Sequence, residues 1–151
     1  MSRPDLAKLG AVYAPYLNAI VLHGLATAQA VGLGPTDLYA VGTLAFNGRM
    51  TSGELAAKTG LTTGATTRLI DRLEEHGLVR RVTDPADRRR VLVEAVEDND
   101  IELDAALAPA REQLGAVFAD CSPAEIAVLT EHFERATPAF HEAIETIRDT
   151  R

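Results

Sequence analysis

Residues 52–93 restrict the fold of this chain more than any other stretch. "SGELAAKTGLTTGATTRLID" (52–71) asks for two short helices joined by a tight turn. Ala56 is small enough for the second helix to cross the first closely. Gly60, four residues on, tolerates the positive φ that the turn needs. Leu55, Leu61, Ala65 and Leu69 supply the apolar contacts that lock the pair. Thr51 or Ser52 caps the first helix, with Glu54 placed for a capping box. Thr62 or Thr63 caps the second, which runs to about His76 and closes on Gly77. Two β-rich runs, "LVRRV" and "RVLVEAV", then flank "TDPADRR", so they read as a hairpin whose turn is shaped by Asp84 and Pro85.

The flanks read as helical. Leu6, Leu9, Tyr13, Leu17, Ile20 and Gly24 step by three or four, and "GLGP" at 32–35 ends that helix. Thr36 is placed to cap the next, with Leu38, Val41 and Leu44 inward and "NG" at 47–48 as its stop. "EDND" at 97–100 opens a helix to about Ala119. "SPAE" at 122–125 starts the last one, with Ser as cap, Pro first and Glu third. Pro109 and Pro138 lie inside helical patterns and should kink or locally break them. Ile126, Leu129, Phe133, Ala136, Phe140, Ile144 and Ile147 form one stripe too long for a small domain to cover. A helix that is apolar over many turns must bury that face, either against the other terminal helices of the same chain or, as expected here, against a second copy.

The expected fold is therefore mainly α with a small β-hairpin. A winged helix-turn-helix domain spans 35–96, and 1–34 with 97–151 form a helical dimerisation region. Charge agrees with that division. The chain carries a net −7, distributed as zero over 1–48, +2 over 49–95 and −9 over 96–151. A polyanion would dock on the middle third. A lone cysteine excludes an internal disulfide framework and a multi-cysteine zinc site. With no secretory pattern at the start and no apolar run approaching the roughly 18 residues of a spanning helix, a cytoplasmic chain without membrane contact is expected.

The outward face of the second helix-turn-helix helix is Thr62, Thr63, Gly64, Thr67, Arg68 and Asp71. Small hydroxyl groups near a helix N-terminus, followed by an arginine, suit a major groove. Threonine hydroxyls exchange hydrogen bonds with base edges and phosphates, and arginine pairs with guanine O6 and N7. The helix N-terminus itself favours a phosphate.

"SGELAAKTGLTTGATTRLIDRLEEHGLVRRVTDPADRRRVLVEA" resembles the core of the MarR (multiple antibiotic resistance regulator) family of winged helix-turn-helix transcription factors. "ELAAKTGL", "TTRLIDRLEEHGLVRR" and the wing motif D-x-R, here Asp87-Arg88-Arg89, carry the likeness. The resemblance implies a homodimeric, sequence-specific double-stranded DNA-binding repressor, released by a small aromatic or anionic effector, whose terminal helices form the dimer interface. It implies a pseudo-palindromic operator with half-sites about 10 bp apart. It places Arg89, helped by Arg88, in the minor groove, with Asp87 orienting it and Arg90 at a phosphate. Ser52, Thr62, Thr63, Gly64, Thr67 and Arg68 face bases or phosphates, and Arg72 reaches the phosphate backbone. Two departures stand out. Thr66 replaces an aliphatic residue, and Ala95-Val96 replaces Leu-Thr at the end of the wing, so the next helix needs Asp98 or Asp100 as its cap.

Tyr13, Tyr16, His23 and Tyr39 are the candidates for an effector pocket that the resemblance puts between the dimer helices and the DNA-binding lobe. Cys121 reads as an inert half-buried thiol beside Asp120. None of the four histidines has i, i+4 spacing, so no metal is expected, and no cofactor either. No nucleophile motif or glycine-rich phosphate loop supports an enzyme. The competing reading is a winged-helix protein-interaction module without specific DNA binding. Arg68, Arg72 and Arg88–Arg90 speak against it, and the salt dependence of DNA binding separates the two.

Overall fold

The computed structural model describes residues 3–97 and 103–150. In chain order the elements are α1 (Arg3–Ala30), α2 (Pro35–Asn47), α3 (Ser52–Thr59), α4 (Thr63–Glu75), β1 (Val79–Thr83), β2 (Val91–Ala95), α5 (Leu103–Ala119) and α6 (Pro123–Asp149). Contacts divide the chain into two compact units, the first ending at Ala106 and the second beginning at Leu107. In the first unit α1 packs on α2, so it groups by contact with the winged-helix segment.

The local signals account for most element ends. Thr51 caps α3, its hydroxyl accepting from the Glu54 amide while the Glu54 carboxylate accepts from the Thr51 amide at 2.6 Å. Gly60 follows in the left-handed region at φ 71°, the geometry that makes glycine the natural residue there. Thr62, rather than Thr63, caps α4, accepting from the Ala65 amide at 3.3 Å. Ser122 and Glu125 form the second capping box, at the start of α6. β1 and β2 pair antiparallel from Val79↔Ala95 to Thr83↔Val91, and Met50 adds a bridge to Val93 on the outer edge of β2.

The core lies where these elements converge. Ala40, Val41 and Leu44 of α2 meet Met50, Leu55 of α3, Leu69, Ile70 and Leu73 of α4, and Leu78, Val79 and Val93 around the hairpin. Each large side chain so buried contributes about 1.5–3 kcal/mol relative to exposure. Thr66 is buried among them, and its hydroxyl donates to the Thr62 carbonyl at 3.0 Å, which satisfies the polar group at a position where an aliphatic residue is usual.

Three expectations change. Thr36 is not the cap of α2. Gly34 holds that position and Pro35, with its preset φ and no N–H, occupies the first turn, so Thr36 falls inside the helix. Pro109 and Pro138 do not interrupt their helices, and neither does Pro15, because each removes one backbone donor and the flanking turns carry the helix across. Within α1, Leu6–Ala30 has an 18-residue window of mean hydropathy 1.3, long and apolar enough by length and composition to cross a membrane. Alanines dilute the pattern to the eye without lowering the average. The proposed caps Asp98 and Asp100 lie outside the described residues.

The long helices keep their apolar faces open. Leu6, Leu9, Val12, Ile20 and Leu25 of α1 are exposed. So are Ile126, Phe133, Phe140, Ile144 and Ile147 of α6, and no described residue of α5 or α6 is fully buried.

Candidate nucleic-acid interface

The outward residues of α4 are where the sequence places them. Thr62, Thr63, Gly64, Thr67, Arg68 and Asp71 are all exposed, as is Ser52 at the start of α3. The Thr67 hydroxyl donates to the Thr63 carbonyl at 3.0 Å, which leaves its oxygen free to accept. The Arg68 side chain makes no hydrogen bond or ion pair with another described residue. A methyl group added at Gly64 would meet nothing within 4 Å, so no described residue requires a glycine there.

One electrostatic feature sets α4 apart. α2, α3, α5 and α6 each carry an acidic residue in the first turn, namely Asp37, Glu54, Asp104 and Glu125. α4 carries none. Acidic side chains at a helix start neutralise the partial positive charge of the free amides. The start of α4 keeps that field for an external anion.

The wing tip is built by short-range bonds. Asp84 accepts from the Ala86 amide at 2.8 Å and donates its own amide to the Arg90 carbonyl at 2.9 Å, closing the turn after β1. Asp87 accepts from the Arg89 amide at 3.0 Å, and its carboxylate lies 3.7 Å from the Arg89 guanidinium. Arg89 is 95% exposed and Arg88 is exposed without a partner among the described residues. Arg90 is different. Its guanidinium reaches Glu54 at 3.4 Å and Asp84 at 3.9 Å, tying the wing to the start of α3.

Three further ion-pair groups have no signal in local sequence spacing. Arg72 was expected at a phosphate. Its guanidinium instead pairs with both oxygens of Asp37 on α2, at 2.9 and 2.6 Å. Arg81 on β1 bridges Asp71, at 2.5 Å, and Glu74 on α4, and its amide donates to Glu74 at 3.0 Å. Glu94, a buried carboxylate on β2, takes Arg80 at 2.5 Å and Arg49. The hydrogen bond from Arg80, then that from Arg49, holds the Glu94 carboxyl below the usual carboxylate range against the effect of burial. These partners lie 35, 10 and 14 residues apart, so only the folded chain shows them.

Of the effector candidates, Tyr13 is half-buried, while Tyr16 and His23 on α1 are exposed. Tyr39 on α2 is exposed and its hydroxyl donates to the Lys58 carbonyl at 3.5 Å. Cys121 is half-buried, with its thiol 3.6 Å from the Val117 carbonyl.

Residues 31–90 match the sequence model of the MarR family. Uncharacterized HTH-type transcriptional regulator YcgE of Bacillus subtilis (strain 168) is 56% identical over 73 residues, covering 48% of this chain and 47% of that protein. A second from the same organism, YsmB, is 38% identical over 81 residues, covering 54% of this chain and 56% of that protein. The chain thus spans about half the length of the curated relatives it matches. Among solved structures, a MarR family protein from Bacillus stearothermophilus is 26% identical, with a TM-score of 0.64, covering 95% of this chain and 98% of that one. The fold is similar to that of MarR-family winged-helix proteins, and the two curated relatives are named as HTH-type transcriptional regulators.

Proposed function

We propose that this chain, a MarR-family protein through its winged-helix segment, is a homodimeric, sequence-specific double-stranded DNA-binding repressor released by a small aromatic or anionic effector. The observation that carries the DNA reading is the start of α4. It is the described helix start without a first-turn acid among α2–α6, and it is ringed by exposed Thr62, Thr63, Gly64, Thr67 and Arg68. In this reading those side chains, with Ser52, meet bases and phosphates in a major groove. Arg89 enters the neighbouring minor groove, where a narrow A·T-rich stretch concentrates negative potential. Arg88 assists from the wing tip and Asp87 orients Arg89 before contact.

The exposed apolar faces of α1 and α6 support a dimer, since runs of large exposed apolar side chains along one helix ordinarily mark an interaction surface. Two copies present two reading heads. A pseudo-palindrome with half-sites about 10 bp apart fits that symmetry. An effector that binds better to a dimer with differently spaced heads shifts the population off DNA. Tyr13, Tyr16, His23 and Tyr39 are its proposed contacts. A regulator of this kind acts in the cytoplasm.

The test is enrichment of duplexes from a randomised pool, followed by titration of the enriched duplex against salt. The expected outcome is a steep fall of affinity with salt and strong weakening by Arg89→Ala in a folded protein. Failure to enrich any duplex defeats the DNA reading and favours a protein-interaction module.

A further inference from the structure

We propose that Arg81 is a positioning residue that sets recognition helix α4 against the wing, and that this clamp, not a phosphate contact, is its part in sequence reading. The inference rests on the DNA-binding reading above. Arg81 is the one side chain of the hairpin that holds two carboxylates of α4 at once. One arm of its guanidinium meets Asp71 at 2.5 Å, the other meets Glu74, and its backbone amide donates to Glu74 at 3.0 Å. Three bonds thus run from one residue of β1 to one turn of α4. Asp71 stands three residues beyond Arg68 and four beyond Thr67, so the clamp grips the same face of the helix one turn C-terminal to the side chains proposed to read bases.

The geometry gives Arg81 little freedom for DNA. Its side chain is two-thirds buried and both arms of its guanidinium are paired, whereas the Arg89 side chain is almost wholly exposed. A planar fork that satisfies two carboxylates fixes direction as well as distance, which a single-point contact does not. Simultaneous entry of α4 into a major groove and the wing into the next minor groove requires a fixed separation between them. β1 runs from that clamp to the wing turn, so it transmits the orientation of α4 to Arg88 and Arg89. Asp71 and Glu74 are then explained too. Two acids on a helix that meets DNA would cost affinity, and they are retained as the clamp's other half.

Charge and position make opposite predictions for one variant. Asp71→Asn with Glu74→Gln raises the protein's charge by two and frees Arg81. If the acids matter only as charges, binding tightens to every duplex. If they matter as the clamp, binding to an enriched duplex falls on the order of tenfold, the coupling expected of residues in one ion-pair network. Binding to a random-sequence duplex of the same length rises at the same time. The experiment measures both affinities for unmodified protein, for that double variant, and for Arg81→Lys and Arg81→Met, with thermal melting to establish folding. Expected are a collapsed ratio of specific to random binding in the double variant and in Arg81→Met, and partial recovery in Arg81→Lys. The salt slope of Arg81→Met should equal that of the unmodified protein, because a positioning arginine releases no counterion. A specific-to-random ratio that stays constant overturns the proposal, as does a slope reduced by about one in Arg81→Met. Should the double variant fail to fold, Arg81→Lys against Arg81→Met decides by the same ratio. Inability of the unmodified protein to enrich any duplex defeats the DNA reading itself, an outcome distinct from either of these.

Discussion

The Asp37–Arg72 pair should break asymmetrically. Asp37 has a side chain only 9% exposed, while Arg72 is 48% exposed. Removing the arginine strands a carboxylate that water barely reaches. Removing the carboxylate leaves an arginine that can turn into solvent. A one-sided break of a buried pair costs about 3–5 kcal/mol. Since Arg72 is half exposed and water can enter where it stood, Arg72→Met should cost about 2–3 kcal/mol, below that range. Asp37→Asn keeps the shape of the side chain, loses one charge-assisted bond and a favourable charge in the first turn of α2, and should cost about 1 kcal/mol. The double variant should lie close to Asp37→Asn alone, because no stranded charge remains.

Urea unfolding at fixed protein concentration measures this, provided the slope m stays constant across the set. If Arg72→Met costs no more than Asp37→Asn, the stranded-charge argument is wrong. Arg72 would then be dispensable to the fold and free for the phosphate role its sequence position suggested.

Three further outcomes are expected. Gly64→Ala should stabilise the protein by up to about 1 kcal/mol, since its methyl meets open space and alanine favours helix, yet weaken binding to an enriched duplex if DNA backbone approaches α4 there. Melting and anisotropy on the same variant read both. Glu94 has a lowered pKa, so the stability it contributes is complete above the unfolded carboxylate value of about 4.3 and drains as pH falls through its folded value. Glu94→Gln should therefore flatten the acid limb of the stability profile, read as urea midpoint against pH. Thr51→Ala should cost about 1 kcal/mol by removing the cap of α3, seen as earlier hydrogen exchange at Glu54 and Leu55.

What the sequence made legible were the features carried by neighbours in the chain. Both capping boxes, the Gly60 turn, the Gly77 stop and the hairpin each depend on residues within about five positions of one another, and their chemistry leaves few alternatives. The two failures of local reading have local causes as well. Thr36 looked like a cap because threonine caps helices, but Pro35 is worth more at a first turn, and it moved the start forward. Pro109 and Pro138 suggest a kink or a local break because proline removes a hydrogen bond; the break does not occur, since one missing bond does not end a helix that continues for several turns. The ion pairs were illegible for a different reason. Asp37 and Arg72, or Arg81 and Asp71, are ordinary charged residues on separate elements, and only packing decides that they meet.

That partition of charge also answers why an acidic chain can present a basic reading surface. Residues 49–95 contain eight arginines. Five are held by carboxylates: Arg49 and Arg80 by Glu94, Arg72 by Asp37, Arg81 by Asp71 and Glu74, and Arg90 by Glu54 and Asp84. Such pairs contribute little net stability where exposed, and their value lies in direction. Arg68, Arg88 and Arg89 remain uncommitted, apart from the loose approach of Asp87 to Arg89. Those three lie on the outward face of α4 and at the wing tip. An affinity that rested on total charge would treat all eight alike, and the acidic remainder of the chain would oppose it. An affinity that rests on three free guanidiniums, set in place by five bound ones, depends on the distances the ion pairs enforce. It follows that neutralising a bound arginine should disturb the ratio of specific to random binding without changing the salt slope, while neutralising Arg88 or Arg89 should lower the salt slope, and neutralising Arg68, a proposed base contact, should relax specificity as well.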